Sequence, residues 1–213
     1  GQVDWPVLLA RVLPQVDIFL PSVEETLVMA DPARYAALDR VAGTDGVLSQ
    51  VNGDLLNDLA GRLLGWGVAV AVLKLGSQGI YLRTTSDAVR LRVLEERLGL
   101  DARVWANREI LAPTFRANLV GTTGAGDCAI AGFLAGMLQQ LSPEAVLTGA
   151  VAVGACNVEA ADATSGLVLS IPIADAGFFG NQAVAQWIGS LVRRMLDGLF
   201  LLEGGAKYYA SFG

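Results

Sequence analysis

Residues 118–137 read NLVGTTGAGDCAIAGFLAGM, and this stretch decides the fold. Gly121, Thr122, Thr123, Gly124, Ala125 and Gly126 are too small to fill a core, yet they run directly into a helical pattern over residues 127–139 whose first charged residue is Asp127. A small-residue loop at a helix amino end leaves backbone N–H groups unpaired, and the helix dipole there favours an anion such as a phosphoryl group. Asp127 reads in two ways: as an N-cap, worth about 1 kcal/mol, or as a base beside the anion loop. Two familiar phosphate loops are excluded. The pattern G-x-x-x-x-G-K-[ST] needs Lys where Asp127 stands, and G-x-G-x-x-G needs Gly where Ala129 stands. An Asp beside backbone anion donors suits a transfer in which a hydroxyl loses its proton while attacking a γ-phosphoryl group.

Working outward, strand and helix patterns alternate. Residues 16–20, VDIFL, form a short apolar strand ended by Pro21. Residues 24–38 read as helical, with Pro32 starting a second helix or breaking the first. Val51, Leu55, Leu59, Leu63 and Leu64 share one helical face and are followed by Gly65 and Gly67 as stop signals. Residues 68–74, VAVAVLK, form a continuous apolar strand of the kind buried on both faces of a parallel sheet. Gly76 and Gly79 then turn the chain into a second strand at residues 80–83, poised to pair as a hairpin. Residues 94–98 are helical, residues 104–106 and 110–112 read as short strands, and Pro143 opens a helix to about residue 160. The pattern predicts an α/β fold with a mainly parallel sheet and helices on both faces.

Val184, Trp187, Ile188, Leu191, Val192, Met195, Leu196, Leu199 and Phe200 recur at helical spacing. They predict an amphipathic helix that covers the sheet or, alternatively, forms a homodimer face. The chain divides into residues 1–166 and a divergent tail, residues 167–213.

Composition narrows the chemistry. Of 213 residues, 53% are hydrophobic and 17% charged, enough apolar material for a packed core. A net charge of −6 leaves no basic surface for nucleic acid. There is no His, which removes Ser-His and Cys-His catalysis and imidazole acid/base work. Cys128 and Cys156 lie in apolar runs, where a small buried thiol in a reducing cytoplasm is the simplest reading. The apolar stretches are shorter, or more interrupted, than the roughly 18 to 20 residues a bilayer span needs, so no membrane partner is expected.

The run G-T-T-G-A-G-D closely resembles the second motif of the ribokinase/PfkB family of carbohydrate kinases, written D-T-x-G-A-G-D. Three further segments agree in order and spacing: VDIFLPSVEE, VLKLGSQGIYL and PEAVLTGAVAVGACNVEAADATSG. The likeness covers residues 16–166. It implies a ribokinase-like fold, ATP and Mg²⁺ as cofactors, and a sugar as acceptor. In the family, the Asp matching Asp127 deprotonates the sugar hydroxyl, and the N–H groups matching Gly124, Ala125 and Gly126 form the anion hole. Lys74, Leu75, Gly76, Ser77, Gln78 and Gly79 match the segment lining the nucleotide site; Thr123 belongs to the anion loop, and Asn157 matches the region around the adenine. Glu25 matches the Glu of an N-x-x-E motif that organises magnesium through water, with Ser22 in place of the Asn. Gly121 stands where the family's first Asp helps hold a monovalent cation, so the resemblance leaves a monovalent cation open here, without that carboxylate to hold it. The matched region corresponds to the carboxyl-terminal, nucleotide-binding half of the family fold, without the half that supplies most sugar contacts and a β lid. Two other functions stay open: a non-catalytic nucleotide-binding or oligomerising module, and a kinase of the same family acting on a nucleoside or vitamin-like alcohol.

Overall fold

The computed structural model describes residues 3–161. The expected amphipathic helix and the tail from residue 167 lie outside the described residues. Four strands form one sheet in the order β1 (Ile18–Phe19), β2 (Val70–Lys74), β3 (Ile80–Thr84), β4 (Glu109–Ala112). The first pair is parallel, with Ile18 opposite Val70, and a bridge between Ser22 and Lys74 carries the pairing past Pro21. The other two pairs are antiparallel, with Lys74 opposite Ile80 and Arg83 opposite Glu109. The α/β class stands, but the parallel pairing expected of most of the sheet is confined to β1 and β2, so the sheet is mixed. The turn from Leu75 to Gly79 is too short for a crossover and closes a hairpin instead. The unbroken apolar run of β2 records helices packed on both faces, not parallel neighbours on both sides.

Side chains alternate across β2 and β3. Val70, Val72, Ile80 and Leu82 face a cluster with Leu91 and Leu94 of α5 (Ala88–Leu98), Trp105 of α6 (Ala102–Trp105), Phe133 and Met137 of α7 (Ala125–Leu138), and Val146 and Leu147 of α8 (Pro143–Asn157). Ala71, Leu73 and Tyr81 face a second cluster with Leu9 of α1 (Trp5–Val12), Leu27 of α2 (Val23–Ala30) and Leu55, Leu59 and Leu63 of α4 (Gly53–Gly65). The remaining helix, α3 (Pro32–Ala42), starts at the proline as its first-turn residue, capped by Asp31. Asn52 caps α4 and Ser142 caps α8, each accepting from the backbone N–H three residues on.

Residues 104–106, expected as a strand, instead end the single turn of α6. Asp101 accepts from the Arg103 N–H and Trp105 is fully buried, so cap and burial together override two apolar neighbours that suggest extension. At the other edge, Asp17 holds β1 against α5 through Arg90, at 3.1 Å, and Arg97, at 2.7 Å. Helices α7 and α8 lie close because Gly132 and Gly136 meet Ala150, Val153 and Val146, where an added Cβ would stand only 3.1 Å from its nearest neighbours. This packing anchors the body of α7 and thereby its amino end. No helix among the described residues is long and apolar enough to cross a membrane.

Candidate nucleotide cleft and anion loop

Helix α7 begins two residues before the apolar periodicity suggests. Gly124, at φ 79° and ψ −4°, is the N-cap, and no side chain caps the helix. These angles are those of the third residue of a type II turn, where a positive φ selects glycine. The turn is closed by the Ala125 N–H donating to the Thr122 carbonyl at 3.2 Å. Asp127 is therefore the third residue of the helix, and the capping reading of that residue is removed. Its exposed carboxylate has no hydrogen-bond or ion-pair partner among the described residues. The N–H groups of Gly124, Gly126 and Asp127 likewise have no acceptor among the described residues. Of the three expected anion donors, Ala125 is thus committed to the turn, and the Asp127 N–H is left open beside those of Gly124 and Gly126.

Beside this helix start lies a cleft of about 440 Å³. One wall comes from the end of β2 and the following turn: Lys74, Gly76, Ser77, Gly79 and Ile80. A second comes from the segment after β4, with Thr114, Phe115, Ala117 and Leu119. Thr122, Ala125, Gly126 and Ala129 supply the third, and Val151, Gly154, Ala155 and Val158 of α8 and its exit the fourth. The cleft opens at the carboxyl ends of the two parallel strands, where α/β sheets place ligands. Gly79 is required there: its φ is 111°, and a Cβ would land on the Ala112 carbonyl oxygen. The Thr114 hydroxyl donates to the Ser77 carbonyl at 2.9 Å, tying two walls together. The Lys74 ammonium lies 3.4 Å from the position of a Cβ on Gly126.

The structure separates the expected site residues. Lys74, Gly76, Ser77 and Gly79 line the cleft, whereas Leu75 is buried in the opposite cluster and Gln78 donates to the Leu48 carbonyl at 2.8 Å. Leu75 and Gln78 line a groove on the other side of the turn instead. Alternation from β2 turns Leu75 to the opposite face, and the 3-10 turn Gly76–Gln78 leaves Gly76 and Ser77 on the cleft and Gln78 on the groove. Thr122 lines the cleft and Thr123 does not. Asn157 is completely buried at the end of α8, its carbonyl accepting from the Ala160 N–H, and the neighbouring Gly154, Ala155 and Val158 reach the cleft in its place. The wall from Thr114 to Leu119 was missed in the sequence reading. Its only signal is apolar side chains, Phe115 and Leu119, in a stretch without periodicity, and both are exposed.

Glu25 and Ser22 form a reciprocal capping box at the start of α2. Among the described residues no three His, Cys, Asp or Glu side chains are grouped to hold a metal ion. Gly121 is packed against the end of α8: its N–H donates to the Val158 carbonyl at 3.2 Å, and a Cβ would stand 3.0 Å from the Ala160 carbonyl oxygen. Burial pushes the Cys128 thiol up to about 11, with the Asp127 charge adding to the effect, and burial does the same for Cys156. Neither thiol is a nucleophile at neutral pH.

A mixed sheet covered by helices on both faces, with a glycine-rich loop at a helix start, defines a ribokinase-like α/β domain. Residues 3–169 match the pfkB family of carbohydrate kinases, and the chain belongs to that family. Among solved structures, aminoimidazole riboside kinase from Salmonella enterica, complexed with aminoimidazole riboside and an ATP analog, is 24% identical; the match covers 78% of this chain and 44% of that one with a TM-score of 0.47. Ribokinase from Thermotoga maritima is 22% identical, covering 74% and 40% with a TM-score of 0.48. A ribokinase II homologue from E. coli, solved with ATP and Mg²⁺, is 20% identical, covering 87% and 42% with a TM-score of 0.49. The chain spans less than half the length of these structures. No curated protein sequence matches it significantly.

Proposed function

We propose that the cleft binds ATP and that the domain serves transfer of the γ-phosphoryl group to a sugar hydroxyl. The observation that carries this reading is the set of unpaired N–H groups of Gly124, Gly126 and Asp127 around an exposed, unpartnered carboxylate at the head of the cleft. The cleft is polarised to match: Ile80, Phe115, Leu119 and Val151 offer apolar walls for a flat base, and Lys74 and the start of α7 offer positive charge for phosphates. Asp127 would take the proton from the acceptor hydroxyl as it attacks, and the adjacent amides would receive the charge developing on the transferred group. Such donors act without reorganising, which is why their contribution exceeds that of the same bonds in water.

Mg²⁺ arriving with the nucleotide would neutralise phosphate oxygens. The residues present suit that mode, since they offer no closed metal cage and one Glu25 oxygen is left without a protein partner among the described residues. They do not suit a monovalent cation held by a carboxylate at position 121, because Gly121 has no side chain and no room for one beside Ala160. A reducing cytoplasm with ready ATP suits both the donor and the two thiols.

The test is calorimetric titration of the chain with ATP and ADP, followed by a phosphoryl-transfer assay over sugars, nucleosides and vitamin-like alcohols. Micromolar to millimolar nucleotide binding with sugar-dependent ADP release is the expected result. Transfer only to a nucleoside or vitamin-like alcohol would reassign the acceptor. Binding without transfer to any alcohol would identify a nucleotide-binding module, and no binding would overturn the reading.

A further inference from the structure

We propose that the outer edge of β4 and the groove beside it dock an extended peptide segment, which sets an apolar side chain against Leu111 and a basic one against Glu109. The Thr84 N–H donates to the Arg108 carbonyl at 2.9 Å, and on the other side of β3 the Thr85 N–H donates to the Ala69 carbonyl at 2.9 Å. Ladder bonds of an antiparallel pair alternate along the strand, so Ile110 and Ala112 turn their backbone groups toward β3, whereas Glu109 and Leu111 turn theirs away from the sheet. β4 is the last strand in the order, and these outward groups have no partner among the described residues. The Glu109 and Leu111 side chains share one face of β4. Helix α4 packs over β2 and β3, so both stand at the margin of its cover, and Leu111 is 55% exposed. On that face lies a groove of about 470 Å³, with Val51, Leu56, Leu75 and Tyr81 in its apolar lining.

Charge decides what such a segment carries. Glu109 Oε1 accepts from the Tyr81 hydroxyl at 2.8 Å and from Asn57 Nδ2 at 3.5 Å, while Oε2 has no partner among the described residues. The guanidinium directly across the strand, that of Arg83, is turned to Asn57, donating to its carbonyl at 2.9 Å and to its Oδ1 at 2.7 Å. The carboxylate is thus oriented by two neutral donors and neutralised by no described cation, on a chain whose net charge of −6 attracts basic partners. A second copy of β4 fits poorly. Pairing the outward groups about a twofold axis at Ile110 sets Leu111 of one copy opposite Glu109 of the other, with no cation to meet the carboxylate. A segment running antiparallel to β4 meets Leu111 first and Glu109 two residues later, so the order apolar-x-basic satisfies both. Pro113 ends the edge one residue beyond Ala112, so backbone pairing is short and the two side-chain contacts select the segment.

The test uses the full chain and an acetylated, amidated pentapeptide, Thr-Val-Thr-Arg-Thr, beside the same peptide with Glu in place of Arg, read by calorimetry and by amide hydrogen exchange. The Arg peptide is expected to bind about 5- to 30-fold more tightly than the Glu peptide and to slow exchange at the Glu109 and Leu111 amides. Its advantage should vanish in Glu109→Gln, which keeps an acceptor for the Tyr81 hydroxyl. A second measurement leaves the protein untouched: N-methylation of the peptide at Val and Arg, whose amides face β4, should abolish binding, whereas N-methylation at the central Thr should not. Equal affinity for the Arg and Glu peptides, equal effects of methylation at either place, or unchanged exchange at Glu109 and Leu111 overturns the proposal. Slow exchange of those two amides in the chain alone also overturns it, because the edge is then already occupied: by a second copy if the protection rises with protein concentration, and by another segment of the same chain if it does not. None of these outcomes depends on nucleotide, so the reading of the cleft stands or falls separately.

Discussion

The backbone N–H of Ser22 donates to Glu25 Oε2 at 2.6 Å while the Ser22 Oγ accepts from the Glu25 N–H at 3.0 Å, so each residue completes the other at the start of α2. The N-x-x-E pattern of the family and the S-x-x-E of this chain are both capping-box patterns, which explains why Ser replaces Asn here without loss of the helix start. Glu25 is therefore held by structure whether or not it assists a metal. Ser22→Ala should lower stability by about 1 kcal/mol. Glu25→Gln keeps an acceptor for the Ser22 N–H, so its stability should stay within about 0.5 kcal/mol of wild type, while any Mg²⁺ requirement of nucleotide binding should rise. Denaturant melts and Mg²⁺ titrations at fixed ADP separate the two roles. An unchanged Mg²⁺ dependence would leave Glu25 with the capping role alone.

Among the described residues Asp127 has no structural partner to lose. Under the proposed function, Asp127→Asn should reduce sugar-dependent ADP release by about 10²- to 10⁴-fold, with ADP affinity and melting temperature close to wild type. Turnover equal to wild type would remove Asp127 from the role of base.

Gly79 and Gly76 both carry positive φ, 111° and 53°, but only the first faces backbone. At Gly76 the nearest atom to an added Cβ is the end of the Leu48 side chain at 3.2 Å, which can shift. Gly79→Ala should cost about 2 kcal/mol or more and open the cleft. Gly76→Asn should cost less than about 1 kcal/mol, since Asn tolerates the left-handed region. Urea midpoints of the two variants check this, and equal losses would contradict it.

Alkaline pH should destabilise the fold. The Cys128 and Cys156 thiols are held up to about 11 by burial, with the charges of Asp127 and Glu159 adding to it. Burial and the hydrogen bond to Glu109 hold the Tyr81 phenol well above its ordinary value. In the unfolded chain thiols ionise near about 8.5 and phenols near about 10. Between those values and the folded ones, the unfolded state binds fewer protons than the folded state, so stability falls as pH rises. The melting temperature should drop progressively from about pH 8.5 to 11, and less steeply in a Cys128→Ala, Cys156→Ala variant. Parallel pH curves for the two proteins would show that the thiols contribute nothing.

Much of this was legible locally. The step from small residues to an apolar run at Gly124 and Asp127 located the glycine-rich loop at the start of α7, and Asp31-Pro32 and Ser142-Pro143 marked helix starts, because caps and prolines act within one turn. The hairpin was legible from Gly76 and Gly79 around two apolar runs. Strand direction across the rest of the sheet was not, since β2 carries the same apolar pattern whether its neighbours are parallel or antiparallel, provided helices cover both faces. Trp105 shows the same limit, because the Asp101 cap and burial in the cluster shared with α5 selected a helical turn where local pattern favoured a strand.

The sequence by itself determined the family, the layered α/β class and the identity of the loop that opens on Asp127, all of which rest on residue types at fixed short spacing. Only the tertiary structure decided which members of Lys74 to Gly79 face the cleft, that Thr122 and not Thr123 lines it, that Asn157 is core, and that Phe115 and Leu119 form a wall. It also brought the Lys74 ammonium to Gly126, 52 positions away in the chain. These are contacts between segments that approach one another only when both faces of the sheet are covered, so their geometry is set by long-range packing and is written in no single stretch of the chain.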